Sequence, residues 1–174
     1  MESVRQWSII QIQTPEEYEI SLKIRHEVFI EEQGVPKEIE IDPFENSGEN
    51  FLLFYQDDPV GVGRYKIKQG LAKFERVAIL KSVRGRGLGR ILMEALESDA
   101  ANRFPGYLQA MQAQYSAIPF YEKLGWVQIG EIFHEAGIVH RWMVKPPKDP
   151  KSLVCLHDPA VPTVILKYLK GRKT

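Results

Sequence analysis

The stretch from Glu75 to Arg90 constrains the fold more than any other part of the chain. Val77, Ala78, Ile79 and Leu80 form an apolar run that reads as a buried strand. A turn follows that holds Gly85, Gly87 and Gly89 among Arg84, Arg86 and Arg90. Leu88, Ile91, Leu92, Ala95 and Leu96 then recur at helical spacing. Strand, glycine turn and helix together suit an anion. Glycine lets the backbone come close, the first helical amides point outward, and the helix dipole favours negative charge there. Arg84, Arg86 and Arg90 would add positive charge.

Two familiar phosphate motifs fail on this stretch. A Walker loop needs Lys then Ser or Thr after its last glycine, and Arg90 and Ile91 stand there. A dinucleotide fold needs G-x-G-x-x-G and an acid about 20 residues on, at the end of the next strand. The glycines here are spaced G-x-G-x-G, and the next strand ends in Gln112 and Gln114. The pattern R-x-x-G-x-G is met, by Arg84, Gly87 and Gly89. It resembles the acyl-coenzyme A signature of the GCN5-related N-acetyltransferases, the GNAT superfamily. The loop alone does not separate that reading from an ordinary glycine-rich turn.

The 174 residues suffice for one domain with a sizeable core. Lys plus Arg equals Asp plus Glu at 23 each, which argues against a general nucleic-acid binder. The single cysteine, Cys155, excludes an internal disulfide and a multi-cysteine metal site, and it reads as an incidental thiol. No His/Cys/Asp cluster has metal-ligand spacing, so no metal is expected. Met1 to Trp7 lacks the apolar run of a signal peptide, and no apolar stretch approaches a membrane span. A cytoplasmic protein without membrane contact is the expectation.

Along the chain, Trp7–Gln13 alternates as a first strand. Thr14-Pro15-Glu16-Glu17 is a helix start with a capping box, and the helix is expected to run to about Phe29. Residues 31–45 read as an acidic, largely solvated loop with Glu31, Glu32, Glu38, Glu40, Asp42 and Glu45. A hairpin over 51–55 and 60–68, turning at Asp57-Asp58-Pro59, leads through Gly70 into a strand over 71–80. A helix from Gly87 to near Asn102 precedes a strand over 107–112. Ser116 can cap a short helix over 118–124 that Gly125 stops. Strands over 126–133 and 138–144 end at Pro146-Pro147. The reading divides the chain into a domain over 1–145 and a C-terminal extension over 146–174. That extension, with a short strand or helix expected over 161–169, is expected to stand outside the catalytic core and to offer Val161, Ile165, Leu166 and Leu169 to a subunit interface, leaving room for a homodimer.

A second signature strengthens the first. Phe120-Tyr121-Glu122-Lys123-Leu124-Gly125-Trp126 matches the GNAT pattern F-Y-x-k-x-G-F/W, one strand beyond the glycine loop. Over residues 7–145 the order of elements is also that of the superfamily. Arg25-x-x-Val28-Phe29-x-x-Glu32-Gln33, Glu40-x-Asp42 and Glu135-Ala136-Gly137-Ile138-x-His140 are similar to the small bacterial ElaA-type proteins. The sequence departs from that pattern at Glu45, where a second Asp is usual, and at Gln112, where His is common. The resemblance implies an α/β (α+β) GNAT fold. Its mixed central sheet has an antiparallel N-terminal meander and splayed central strands, flanked by helices.

It also implies a chemistry. Acetyl transfer needs a held thioester, a neutral attacking amine and a proton for the leaving thiolate. By resemblance, the backbone of Val77, Ala78 and Ile79 pairs with the pantetheine arm of acetyl-coenzyme A. The amides from Arg84 through Gly85, Arg86, Gly87, Leu88 and Gly89 to Arg90 cradle the pyrophosphate. An amide near Val77 or Ala78 faces the thioester oxygen, and Tyr121 is the thiolate protonator. Glu75 lies two residues before Val77, on the same face of the strand, and can serve as base. It can equally be a cross-strand partner of Lys73, Arg64 or Arg76. His134 and His140 rank behind it. The expected activity is acetyl transfer from acetyl-coenzyme A to a primary amine of a small molecule or peptide. Two alternatives stand beside it: a non-catalytic acyl-coenzyme A binding or sensing module, and an interaction protein without a ligand.

Overall fold

The structure is a computed structural model, and it describes residues 5–41 and 48–171. Asp42 and Glu45 lie outside the described residues. In chain order the elements are β1 (Trp7–Gln11), α1 (Pro15–Arg25), a π-helical segment (His26–Glu32), α2 (Lys37–Glu40), β2 (Glu49–Tyr55), β3 (Asp58–Lys68), β4 (Leu71–Ile79), α3 (Leu88–Arg103), β5 (Leu108–Gln114), α4 (Ile118–Lys123), β6 (Val127–Glu135), β7 (Ile138–Val144) and α5 (Thr163–Gly171). Short 3₁₀ turns precede α3, α4 and α5. Among the described residues the strands form one seven-stranded sheet in the order β1-β2-β3-β4-β5-β7-β6. The contrast of antiparallel and parallel pairing is the one expected: β1 and β2 are antiparallel, and β4 and β5 are parallel.

Local sequence explains most element ends. Thr14 and Glu17 form the reciprocal capping box, with Pro15 in the first turn of α1. The β2–β3 hairpin turns at Gln56 and Asp57, which have φ of 51° and 67°. Two successive left-handed residues make the two-residue turn whose twist suits flanking strands. The turn therefore sits earlier than Asp57-Asp58-Pro59, and Pro59 lies within β3 opposite Phe54. The helix begun at Pro15 changes character at His26 and continues to Glu32 with π geometry. Ser116 is not the cap of α4; that position is Ala117, which makes no side-chain cap bond.

The chain divides into two compact units. The first comprises the residues up to Tyr65 together with Arg76–Ser98. Its core joins Ile24, Val28 and Phe29 of the helical N-terminal part to Leu52, Val62 and Ala78 of the sheet, with Ile10, Ile12, Ile20 and Leu80 packed around them. The second comprises Lys66–Glu75 and the residues from Asp99 onward. Leu71, Leu108, Ala110, Ile129 and Val144 pack there with Leu153, Cys155 and Ile165.

The sequence offered Ile165 to a subunit interface, but its side chain is fully buried in the chain's own core. Val161, Val164, Tyr168 and Leu169 pack on the same cluster. The cause is helical spacing: α5 turns this face onto apolar residues of β4–β7. The fit is close. A Cβ on Gly70, whose φ is 74°, would lie 2.5 Å from the Cys155 Cα. Burial also pushes the Cys155 thiol pKa up, which fits an inert core residue. Ile165→Ala should therefore cost about 2–4 kcal/mol of unfolding free energy, as for other large-to-small core changes. Urea unfolding measures it, and a loss below about 0.5 kcal/mol would return α5 to the surface.

Candidate active site

The loop between β4 and α3 lies wholly in the first unit. Gly85 and Gly87 have φ of 79° and 77°, a region that L side chains rarely adopt. A Cβ on either would meet nothing within 4 Å, so their backbone is open to close approach. Ile91 N–H donates to the Gly87 carbonyl, the first bond of the α3 ladder. Among the described residues, the N–H groups of Leu88, Gly89 and Arg90 have no backbone acceptor, as the start of a helix dictates. The residues present thus fit a phosphate group: open backbone, unused amides and a 16-residue helix behind them.

The three arginines differ from one another. Arg84 Nε donates to the Ile79 carbonyl at 2.9 Å, while Nη1 and Nη2 grip the two Glu32 oxygens at 2.5 and 2.8 Å. This fork holds the Glu32 carboxyl below its usual pKa range. Arg90 Nε bonds Glu94 at 2.8 Å, one helical turn on. Arg86 lies over the Tyr55 ring at 5.6 Å and pairs with no carboxylate among the described residues. Sequence reasoning assigned all three guanidinium groups to added charge at the loop. The structure commits Arg84 and Arg90 to carboxylates.

Upstream of the loop, β4 is not a regular strand. Arg76 has φ of 56°, uncommon for a residue with a side chain. The pleat is interrupted between Glu75 and Val77, so simple alternation does not set them on one face. The β4–β5 ladder covers Leu71–Phe74 against Leu108–Met111, and Val77, Ala78 and Ile79 are not part of it. Arg76 is anchored by side-chain bonds to the Ile39 and Glu40 carbonyls at 3.4 and 3.1 Å. Its Nε also lies 3.4 Å from Glu40 Oε1.

Glu40 was read as part of a solvated loop, yet only 2% of it is exposed. Its carboxylate receives Arg25 Nε at 2.6 Å, and its carbonyl receives Arg25 Nη2 at 2.7 Å. Arg25 is itself buried, and burial pulls its pKa down against the opposing pull of Glu40. A charge so far from water persists only when paired. Arg25, Glu32 and Glu40 all stood in the sequence patterns, but nothing in the spacing tied Glu32 to Arg84 or Glu40 to Arg25.

In the second unit Tyr121 is 8% exposed on α4. Its ring packs edge-on to Phe120 and Trp126 with centroids 5.0 and 6.5 Å away, and Trp126 packs on Phe74 at 5.4 Å. Burial alone pushes the hydroxyl pKa up to about 12. Glu75 Oε1 sits 3.1 Å from Lys66 Nζ, an ion pair along the β3–β4 hairpin. Lys73 lies over Trp142 at 5.6 Å, and its pKa is lowered by burial with Glu75 opposing. His134 is exposed on β6. His140 is 9% exposed, with Nδ1 2.8 Å from the Ile138 carbonyl and its ring stacked on Phe133. Among the described residues no group of three or more His, Cys, Asp or Glu is placed to hold a metal ion, and no helix is long and apolar enough to cross a membrane.

A mixed sheet with a glycine loop at the start of a long helix after β4, and a buried tyrosine on the short helix after β5, defines a class of acyltransferase fold. Comparison with known families agrees: the Acetyltransferase (GNAT) domain matches residues 12–146, and the chain belongs to that family. The uncharacterized N-acetyltransferase YjcF of Bacillus subtilis is 44% identical over 124 residues, 70% of this chain and 87% of that protein. Escherichia coli ElaA is 27% identical over 71% of this chain and 84% of its own length. Its crystal structure superposes with a TM-score of 0.71 at 22% identity, over 80% of this chain and 98% of that one. An acyl-CoA N-acyltransferase from Pseudomonas aeruginosa also gives 0.71, at 25% identity over 80% and 98% of the two chains. The protein thus falls in the GNAT superfamily close to the ElaA type.

The buried pair gives a direct test. Glu40→Gln keeps the shape and removes the charge facing Arg25 and Arg76. Urea unfolding should show a loss of about 3 kcal/mol, the scale for breaking one side of a buried pair. A loss under about 1 kcal/mol would mean that the carboxylate charge does not hold this segment.

Proposed function

We propose that this protein transfers the acetyl group of acetyl-coenzyme A to a primary amine. The single observation that carries the reading is the loop: two glycines with left-handed φ and unused amides at the start of α3. The backbone of Gly85–Arg90 would hold the donor's pyrophosphate, and Val77–Ile79 would pair with the pantetheine arm. The family assignment supports acyl transfer as the chemistry.

In the reaction the neutral amine nitrogen attacks the thioester carbonyl carbon. A new C–N bond forms and negative charge gathers on the oxygen, where an amide near Val77 or Ala78 would stabilise it. The C–S bond then breaks, and the thiolate leaves with the electron pair. Tyr121 donates its proton to that sulfur. With a hydroxyl pKa of about 12 it stays protonated throughout the neutral range and remains an available acid. Glu75 takes the proton that the amine releases, directly or through water. The Lys66 partner keeps Glu75 ordered on the hairpin.

Two measurements test this reading. Gly87→Glu adds bulk and negative charge where nothing of the protein stands within 4 Å. With circular dichroism showing an intact fold, calorimetry should find coenzyme A binding abolished. Unchanged affinity would move the donor elsewhere.

Tyr121→Phe keeps the ring packing and removes only the hydroxyl. Turnover should fall about 10²-fold, the scale of one general acid, with coenzyme A affinity unchanged. In the parent enzyme the same assignment predicts no loss of turnover as pH passes about 10, where an ordinary tyrosine ionises. The raised pKa moves that loss toward about 12. A Phe variant as fast as the parent would return Tyr121 to a packing role.

A further inference from the structure

We infer that Glu32, presented by the π-helical segment, is a positioning residue that shapes the pyrophosphate loop through Arg84. The inference rests on the proposed placement of the donor at that loop.

Arg84 opens the loop, and three of its donors are engaged at once. Nε holds the Ile79 carbonyl at the end of β4, and the two terminal nitrogens hold both Glu32 oxygens. A planar guanidinium gripping a carboxylate in two places fixes direction as well as distance. The loop needs such a restraint. Gly85 and Gly87 both have left-handed φ and open surroundings, so nothing in their own side chains limits the backbone. The fork ties the residue immediately before them to two fixed points.

Charge alone does not explain Glu32. A carboxylate beside a loop that receives a pyrophosphate opposes the ligand electrostatically, so its use is to hold Arg84. The pair is also partly open to solvent, with side chains 40% and 31% exposed. An ion pair of that kind adds little to stability. What it supplies is geometry.

The π-helical segment is what delivers this carboxylate. Glu32 is its last residue, and Gln33 N–H closes on the Val28 carbonyl at 3.2 Å, five residues back. Val35 N–H reaches the Phe29 carbonyl at 2.8 Å just beyond. An α-helix continued over the same seven residues would place residue 32 at a different angle about the axis. π geometry is rare, and where it interrupts α-helices it is frequently at functional sites. Here the departure from α geometry has a visible product, the fork on Arg84.

The test uses Glu32→Gln, Arg84→Gln and the double variant, with Gly87→Glu as the reference for binding at the loop. Calorimetry with coenzyme A should show each single variant weaker by about tenfold, the scale of a charge-assisted hydrogen bond. The double variant should be no weaker than either single one, because Glu32 acts through Arg84. Melting temperatures should stay within about 2 °C of the parent, which separates positioning from unfolding. Free-thiol release from acetyl-pantetheine, a donor without the pyrophosphate, should be unchanged in Glu32→Gln.

Full coenzyme A affinity in Glu32→Gln, with Gly87→Glu inactive in binding, overturns this inference and leaves the donor placement standing. Tighter binding in Glu32→Gln also overturns it, since Arg84 would then be a phosphate ligand that Glu32 withholds. Additive losses in the double variant, or an equal loss with acetyl-pantetheine, overturn it as well. Unchanged binding in Gly87→Glu removes the donor placement itself, and the inference with it.

Discussion

The buried Glu40 carboxylate is the interaction on which the first unit depends. It gathers Arg25 from α1 and Arg76 from β4 onto α2, a helix of four residues. So short a helix has no stability of its own. Arg76, in turn, holds a left-handed conformation within a strand, which costs on the order of 1–3 kcal/mol for a residue with a side chain. Its bonds to Glu40 and to the Ile39 carbonyl offset that cost. One carboxylate thus fixes both the end of the N-terminal helical part and the point where β4 departs from regular pleating. The stretch proposed to pair with the donor's pantetheine arm begins immediately after that point, at Val77.

A loop that binds a phosphate through its backbone faces two opposed requirements. It must contain glycine, so that the chain can approach the ligand, and it must not wander. In the proposed donor loop Gly85 and Gly87 answer the first and Arg84 the second. Two of the three arginines are paired with carboxylates, so attraction for an anion in the proposed site would come mainly from the α3 amides and dipole with Arg86 beside them. This division differs from a simple basic patch. It is compatible with a chain whose formal net charge is zero.

The second unit is organised by aromatic packing. Trp126 is almost fully buried between Phe74 and Tyr121. The F-Y-x-k-x-G-W motif therefore has a structural reading beside its proposed chemical one. Gly125, with φ of 91°, ends α4 so that Trp126 can turn inward. Trp126 N–H in turn closes on the Tyr121 carbonyl at 3.1 Å, which ties the tyrosine to the strand that follows. The same unit takes its last layer from beyond Pro146-Pro147, where Leu153, Cys155 and Ile165 complete the apolar cluster over the sheet.

The sequence by itself determined whatever depends on neighbours along the chain. The capping box at Thr14, the glycine turn before α3, the order of strands and helices and the two GNAT signatures were all legible, because periodicity, turn chemistry and motif spacing are local. Tertiary structure decided what depends on partners far apart in the chain. Glu40 could be read as solvated until Arg25 and Arg76, 15 and 36 residues away, were seen to close on it. Arg84 could be read as free charge until Glu32, 52 residues away, was seen to hold it. The α-to-π change at His26 leaves no mark in hydrophobic spacing, since Val28 and Phe29 are buried in the observed geometry and would be expected inside an α-helix too. Burial of an ion pair and the angle of a side chain about a helix axis are properties of the packed chain, and no pattern of residue types along the sequence encodes them alone.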